Sequence, residues 1–106
     1  MNDVIHIHED ADFENEVLNS AVPVLVDFSS VLCGPCNRLL PVLNELASDL
    51  GQSAKIVAVE VTMNEWLAER YGIAALPTLI VFSGGRETHR LVGLKTKEYL
   101  LEALAA

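Results

Sequence analysis

The sequence predicts an α/β fold with a mixed central sheet of about five strands flanked by four helices, and three observations predict it. Two runs rich in Val and Ile, Val22 to Ser29 and Ile56 to Val61, have the nearly unbroken apolar character of strands covered on both faces. Amphipathic stretches at helical spacing separate the first three strands, an alternation that favours parallel pairing through crossover helices. Near the end, Leu79 to Phe82 runs into Ser83-Gly84-Gly85, a turn signal from which His89 to Val92 returns antiparallel. With 106 residues, 51% of them hydrophobic, the chain can bury one core without disulfide or metal staples, so residues 1–106 are expected to form one domain.

Val4 to Ile7 alternates as a short first strand, and Asp10 or Asp12 can cap the helix that follows, whose acidic first turn suits the positive end of the dipole. Phe13 and Val17 face inward from that helix. Val22 to Ser29 reads as the central strand, and Asp27 is its lone charge. Beyond Cys33-Gly34-Pro35-Cys36 the period changes: Leu39, Leu43, Leu46 and Leu50 recur at helical spacing, and Gly51 stands where a left-handed C-terminal cap belongs. Pro41 removes a backbone donor inside this helix and is expected to kink it. Ile56 to Val61 forms the next strand, and Asn64 then caps a short helix through Trp66, Leu67 and Tyr71 that stops at Gly72, with Trp66 read as a packing residue. After the hairpin, Thr96 opens a last helix that turns Tyr99, Leu100, Ala103 and Leu104 inward.

Fifteen acidic against seven basic residues give a formal charge of −8, which repels phosphate backbones and anionic head groups, so neither nucleic acid nor membrane is an expected partner. Met1-Asn2-Asp3 lacks the basic start of a signal peptide, and Glu9, Asp10 and Asp12 interrupt any apolar leader. The longest apolar stretch, Ala21 to Phe28, contains Pro23 and Asp27 and falls short of the ~20 residues of a spanning helix. A cytoplasmic location is the expectation, where thiols stay reduced and a close cysteine pair is catalytic or metal-binding rather than structural. The charge is also uneven. The first basic residue is Arg38, whereas residues 86–106 carry four bases against three acids, an asymmetry that favours a partner with a basic surface.

Two cysteines three apart in the opening turn of a helix share a face, with α-carbons about 5 to 6 Å apart, the range a disulfide requires. Cys33 sits where unpaired amides and the helix dipole stabilise a thiolate and can lower its pKa from ~8.5 to roughly 7 or below, which makes it the nucleophile. Cys36 is one turn deeper, where desolvation disfavours the anion, so it waits as a thiol and then attacks the mixed disulfide. Gly34 permits tight chain passage, and Pro35 stiffens the first turn. The alternatives are a static disulfide, which the helix-start position and the Gly-Pro spacer argue against, and a zinc site completed by His6 and His8. Those histidines lie on a separate strand away from the active loop, so no metal and no bound cofactor is expected.

The segments Val24-Leu25-Val26-Asp27-Phe28, Cys33-Gly34-Pro35-Cys36, Tyr71-Gly72-Ile73, Leu76-Pro77-Thr78 and Val92-Gly93 together resemble the thioredoxin family in order and spacing, from Val24 to Leu104. The resemblance implies the thioredoxin fold and a thiol–disulfide oxidoreductase that reduces protein disulfides through a reversible Cys33–Cys36 dithiol. Disulfide-containing client proteins and a thioredoxin-reductase-like electron donor are the implied partners. It further implies that Asp27 is a buried carboxylate accepting the proton of Cys36, and that Pro77 is cis and packs against the disulfide. Leu32, Gly34, Pro35, Leu76, Thr78 and Gly93 form the implied substrate-binding rim. Physics is compatible with both roles: burial raises a carboxyl toward the working range of a thiol, and the backbone at Leu76 is suited to pair with an extended client.

Departures from the family pattern bear on these expectations. Leu32 and Ser29 stand where the family usually carries Trp, so an aromatic lid is lost. The lysine often found near the buried acid aligns with Ala58, so Asp27 is expected to lack a cation and to have a raised pKa. An ordinarily acid-rich segment reads Thr62-Met63-Asn64-Glu65-Trp66. These changes keep two other readings in view: a specialised relative serving one dedicated client, and a non-catalytic module that binds a partner through the same rim.

Overall fold

The computed structural model describes residues 3–105; Met1, Asn2 and Ala106, the outermost residues of the expected domain, lie outside the described residues. Five strands form one sheet in the order β1-β3-β2-β4-β5: β1 is Ile5–His6, β2 Val24–Ser29, β3 Lys55–Glu60, β4 Thr78–Ser83 and β5 Arg86–Val92. The β1–β3 and β3–β2 pairs are parallel, and the β2–β4 and β4–β5 pairs are antiparallel. The mixed sheet is therefore as expected, with one refinement. The terminal hairpin docks directly on β2, so the strand that leads to the cysteines is the middle of the sheet.

Strand alternation divides the core into two layers. Leu25, Ile56, Leu79 and Val81 face the long helix α2 (Gly34–Leu50) and the last helix α4 (Lys97–Ala105), meeting Leu39, Leu43, Leu46, Leu100 and Leu104. Val24, Val26, Phe28, Val57, Ile80 and Phe82 face the other way, onto Phe13, Val17 and Leu67 from the first helical segment and from α3 (Glu65–Arg70). Aromatic packing anchors that second layer. The Tyr71 ring centroid lies 5.5 Å from those of Phe13 and Phe82 and 6.0 Å from that of Phe28.

Several local expectations need correction. Glu9, not Asp10 or Asp12, is the cap residue of α1 (Asp10–Phe13); Asp12 sits one turn in and its carboxylate accepts the amides of His8 and Glu9, both at 3.1 Å. The helix then widens into a π-helical turn at Glu14–Leu18, with Asn19 donating to Glu14. The helix expected around Pro41 is continuous, α2 running through it from Gly34 to Leu50. Both Asn37, whose carbonyl loses its donor, and Pro41 are on the exposed side, so water can satisfy that carbonyl. Gly51 ends the helix with φ +56, but its ψ of −124 lies outside the left-handed helical conformation expected of the cap.

Asn64 occupies the cap position of α3, but its side chain makes no cap. It is buried, and its amide donates to the Ile7 and Glu60 carbonyls, tying β1 to the end of β3. Trp66 is 42% exposed rather than packed, because the short α3 gives the core only Leu67, with Tyr71 one turn further on. Tyr99 is likewise 48% exposed, one position off the Leu100–Ala103–Leu104 stripe, with the Lys95 ammonium 5.2 Å from its ring centroid.

Candidate active site

The site sits where β2 gives way to α2, beyond the carboxyl end of a parallel strand, where open α/β sheets gather their chemistry. Register fixes what surrounds that point. Ser29, the last residue of β2, pairs with Glu60 of β3, and Phe28 pairs with Thr78 of β4, which brings Pro77 up to the same edge. The chain then turns through Ser30, Val31 and Leu32, and Cys33 takes the N-cap position of α2 in extended backbone.

Cys33 and Cys36 are joined in a disulfide, with α-carbons 5.2 Å apart. Their surroundings differ as position in a helix dictates. Cys33 is half-buried, and its sulfur accepts the Cys36 amide at 3.3 Å, one of the amides that α2 leaves without an internal partner. Cys36 is 2% exposed and belongs to the buried face of α2. Pro35 takes a first-turn position where no backbone donor is needed.

Asp27 shares the α2 side of the sheet with Leu25 by alternation, and it is fully buried. In register it stands between Ala58 on β3 and Leu79 on β4, so neither residue paired with it offers a cation. Among the described residues neither oxygen has a hydrogen-bond partner. Burial pushes its pKa up from 3.8 to about 7; the neighbouring Ser29 hydroxyl pulls the other way but lies outside normal hydrogen-bond geometry. A carboxyl poised there can take or give a proton near neutrality, the range in which thiols exchange.

The remaining expected rim residues divide by exposure. Leu32 projects almost freely at 87% exposed, Gly34 is exposed, and Pro35, Leu76 and Gly93 are half-buried. The Leu76–Pro77 peptide is cis, Pro77 is buried, and the Gly93 amide donates to the Pro77 carbonyl at 2.9 Å. Thr78 is buried, with its hydroxyl donating to the Ala75 carbonyl at 2.6 Å, so its side chain braces the turn before Pro77 rather than facing a client. His6 and His8 are exposed and lie on or next to β1, which β3 separates from the strand leading to the cysteines.

One residue at this edge carries no mark in the sequence reading. Glu60 ends β3 with a carboxylate that accepts the Val31 amide at 2.8 Å through one oxygen, and the Thr62 amide and hydroxyl at 3.1 and 2.8 Å through the other. Partial desolvation works against the charge, yet these donors outweigh it and hold the Glu60 carboxyl below the usual range. Its signal in the sequence was positional: an acid at the carboxyl end of the strand next to the one that carries the cysteines.

A half-exposed sulfur at a helix N-terminus, bonded to a buried sulfur one turn deeper and set in a mixed five-stranded sheet, defines a thiol–disulfide oxidoreductase. A family model described as thioredoxin matches residues 4–106. Similar proteins include thioredoxin 1 of Nostoc sp., 42% identical over 95 residues that cover 90% of this chain and 89% of that one. Another is the bifunctional thioredoxin reductase/thioredoxin of Mycobacterium leprae, 41% identical over 91% of this chain and 21% of its own length. Among solved structures, a mutant thioredoxin from Halobacterium salinarum superposes with a TM-score of 0.87 at 29% identity, covering 96% of this chain and 88% of that one. The chain belongs to the thioredoxin family, with its fold and its protein-disulfide oxidoreductase chemistry.

Proposed function

We propose that residues 1–106 act as one domain that reduces disulfides in client proteins, with Cys33 as the attacking sulfur and Cys36 as the resolving one. The Cys33 thiolate attacks one sulfur of a client disulfide, forming a mixed disulfide and releasing the other client sulfur as a thiolate. Asp27 accepts the Cys36 proton, and the Cys36 thiolate attacks Cys33, closing the intramolecular disulfide and expelling the second client thiolate. Two electrons thus pass from this dithiol to the client. The observation that carries this reading is the unequal environment of the two sulfurs: Cys33 half-exposed on the helix cap, Cys36 sealed beneath.

Return to the dithiol needs a donor of two electrons, and a thioredoxin-reductase-like protein is the proposed one. The Mycobacterium leprae relative, whose name joins both activities in one chain, supports that pairing. An extended client segment lies along Leu76, with Leu32, Gly34, Pro35 and Gly93 as its contact rim and Pro77 against the sulfurs. A cytoplasmic setting agrees with a dithiol kept reduced, and the described residues contain no helix long and apolar enough to cross a membrane. The exposed Leu32, in place of a ring, supports a narrower client range as a second reading.

Insulin reduction with a flavoprotein reductase as donor tests the assignment. Cys33→Ser abolishes turnover, and Cys36→Ser accumulates a covalent mixed disulfide on Cys33 that is visible by mass spectrometry. A Cys33→Ser chain that keeps its partner and its cellular role indicates a binding module instead.

A further inference from the structure

Val31 and Leu32 stand out from the surface at 73% and 87% exposed, immediately before the attacking sulfur. Side chains so exposed have too little packing to fix their backbone, yet that backbone is held at both polar groups of Val31. Its carbonyl accepts from the Asn37 side-chain amide at 3.1 Å, and its N–H donates to Glu60 at 2.8 Å. The Leu32 and Cys33 amides turn inward to the Ser30 hydroxyl and carbonyl, at 3.2 and 3.1 Å. All of these ties are local to residues 30–37 except one. Glu60, 29 positions away on β3, is, among the described residues, the one whose hydrogen bond ties this loop to a neighbouring strand, and its second oxygen is itself braced by Thr62.

We propose that Glu60 is a positioning residue for client docking: its carboxylate bridges Val31 and Thr62 and so holds the Val31–Leu32 ridge ready against an incoming apolar client surface. The proposal rests on the oxidoreductase reading and adds how this chain, lacking the family's rings at Ser29 and Leu32, keeps its contact surface ordered. An apolar ridge whose backbone is fixed beforehand loses less entropy on binding, so its effect belongs to recognition rather than to the sulfur exchange. The bridge also has a length requirement. A carboxylate one methylene shorter cannot reach from β3 to Val31 while keeping Thr62, whereas an amide of equal length can still accept from Val31 through its single oxygen.

The full chain is assayed as wild type, Glu60→Asp and Glu60→Gln, on insulin and on a small aromatic disulfide with no surface to dock. Glu60→Asp keeps the charge and raises KM for insulin about three- to tenfold, with kcat within about twofold, and Glu60→Gln raises KM less. Both variants reduce the small disulfide at the wild-type rate within about twofold. The proposal is overturned if Glu60→Asp leaves the insulin KM unchanged, or if insulin and the small disulfide suffer equally, which would place Glu60 in the chemistry of Cys33. A wild-type chain that reduces neither substrate overturns the oxidoreductase reading itself, a result distinct from the other two.

Discussion

Asp27 shows how one side chain sets a pH dependence for the whole molecule. Below pH 3.8 it is protonated in both the folded and the unfolded chain and contributes nothing to the difference between them. Between 3.8 and about 7 only the unfolded chain ionises it, so the native state loses stability as pH rises; above about 7 the loss is complete. At about 1.4 kcal/mol per unit, the raised pKa corresponds to a cost of about 4 kcal/mol at pH 8. Asp27→Asn removes the charge and keeps the shape. The expected outcome is a variant more stable than the wild type by a few kcal/mol at pH 8, the gain shrinking to near zero by pH 4, in urea unfolding of the oxidised protein. Parallel stability curves for the two chains would show that Asp27 ionises without penalty, contrary to its burial. The same burial gives the carboxyl a pKa near neutrality, as the proposed transfer of the Cys36 proton requires.

At the scale of an element, the β4–β5 hairpin shows two adjacent glycines with different reasons to be there. Gly84 and Gly85 have φ of +59 and +79, the left-handed region that lets a two-residue turn match the twist of its strands. Among the described residues nothing lies within 4 Å of where a Cβ on Gly84 would sit, whereas a Cβ on Gly85 would meet the Leu18 carbonyl oxygen at 2.8 Å. Gly84→Ala is expected to cost about 1 kcal/mol, and Gly85→Ala clearly more, as read by the urea midpoint. Equal costs would mean that the end of the first helical segment yields freely. The contrast marks what local sequence reveals. The Ser83-Gly84-Gly85 turn, the two apolar runs and the Leu39–Leu43–Leu46 stripe were legible because a period or a turn residue states them. The approach of Leu18 to Gly85 was not, since it joins residues far apart in the chain. The same limit explains Asn64, whose residue type matched a helix cap while long-range carbonyls claimed its side chain. In the site, the cysteines and Asp27 announced themselves by spacing and by a charge inside an apolar strand. Glu60 was silent because only the parallel register of β3 with β2 brings it to Val31.

Across the whole molecule the charge is both large and unevenly compensated. Of the seven basic residues, Lys55 is paired with Glu16, Arg90 with Glu87, and Lys97 with both Glu45 and Asp49, so much of the positive charge is already answered within the chain. No base precedes Arg38, and Glu9, Asp10 and Glu14 of the amino-terminal segment are exposed. A net charge of −8 on a domain this small produces a field felt well beyond contact at low ionic strength, where the Debye length is about 30 Å at 0.01 M, but only over about 8 Å at 0.15 M. Encounter with a protein of basic surface is therefore accelerated at low salt, and the acceleration is lost as salt rises. Measured with an electron-donor protein of that kind, kcat/KM should fall several-fold over this salt range while kcat stays level. The small aromatic disulfide provides the comparison: if it is given no negative charge, its reduction should not respond. Should both reactions slow together, salt is acting on the dithiol itself, and steering by the acidic surface is ruled out.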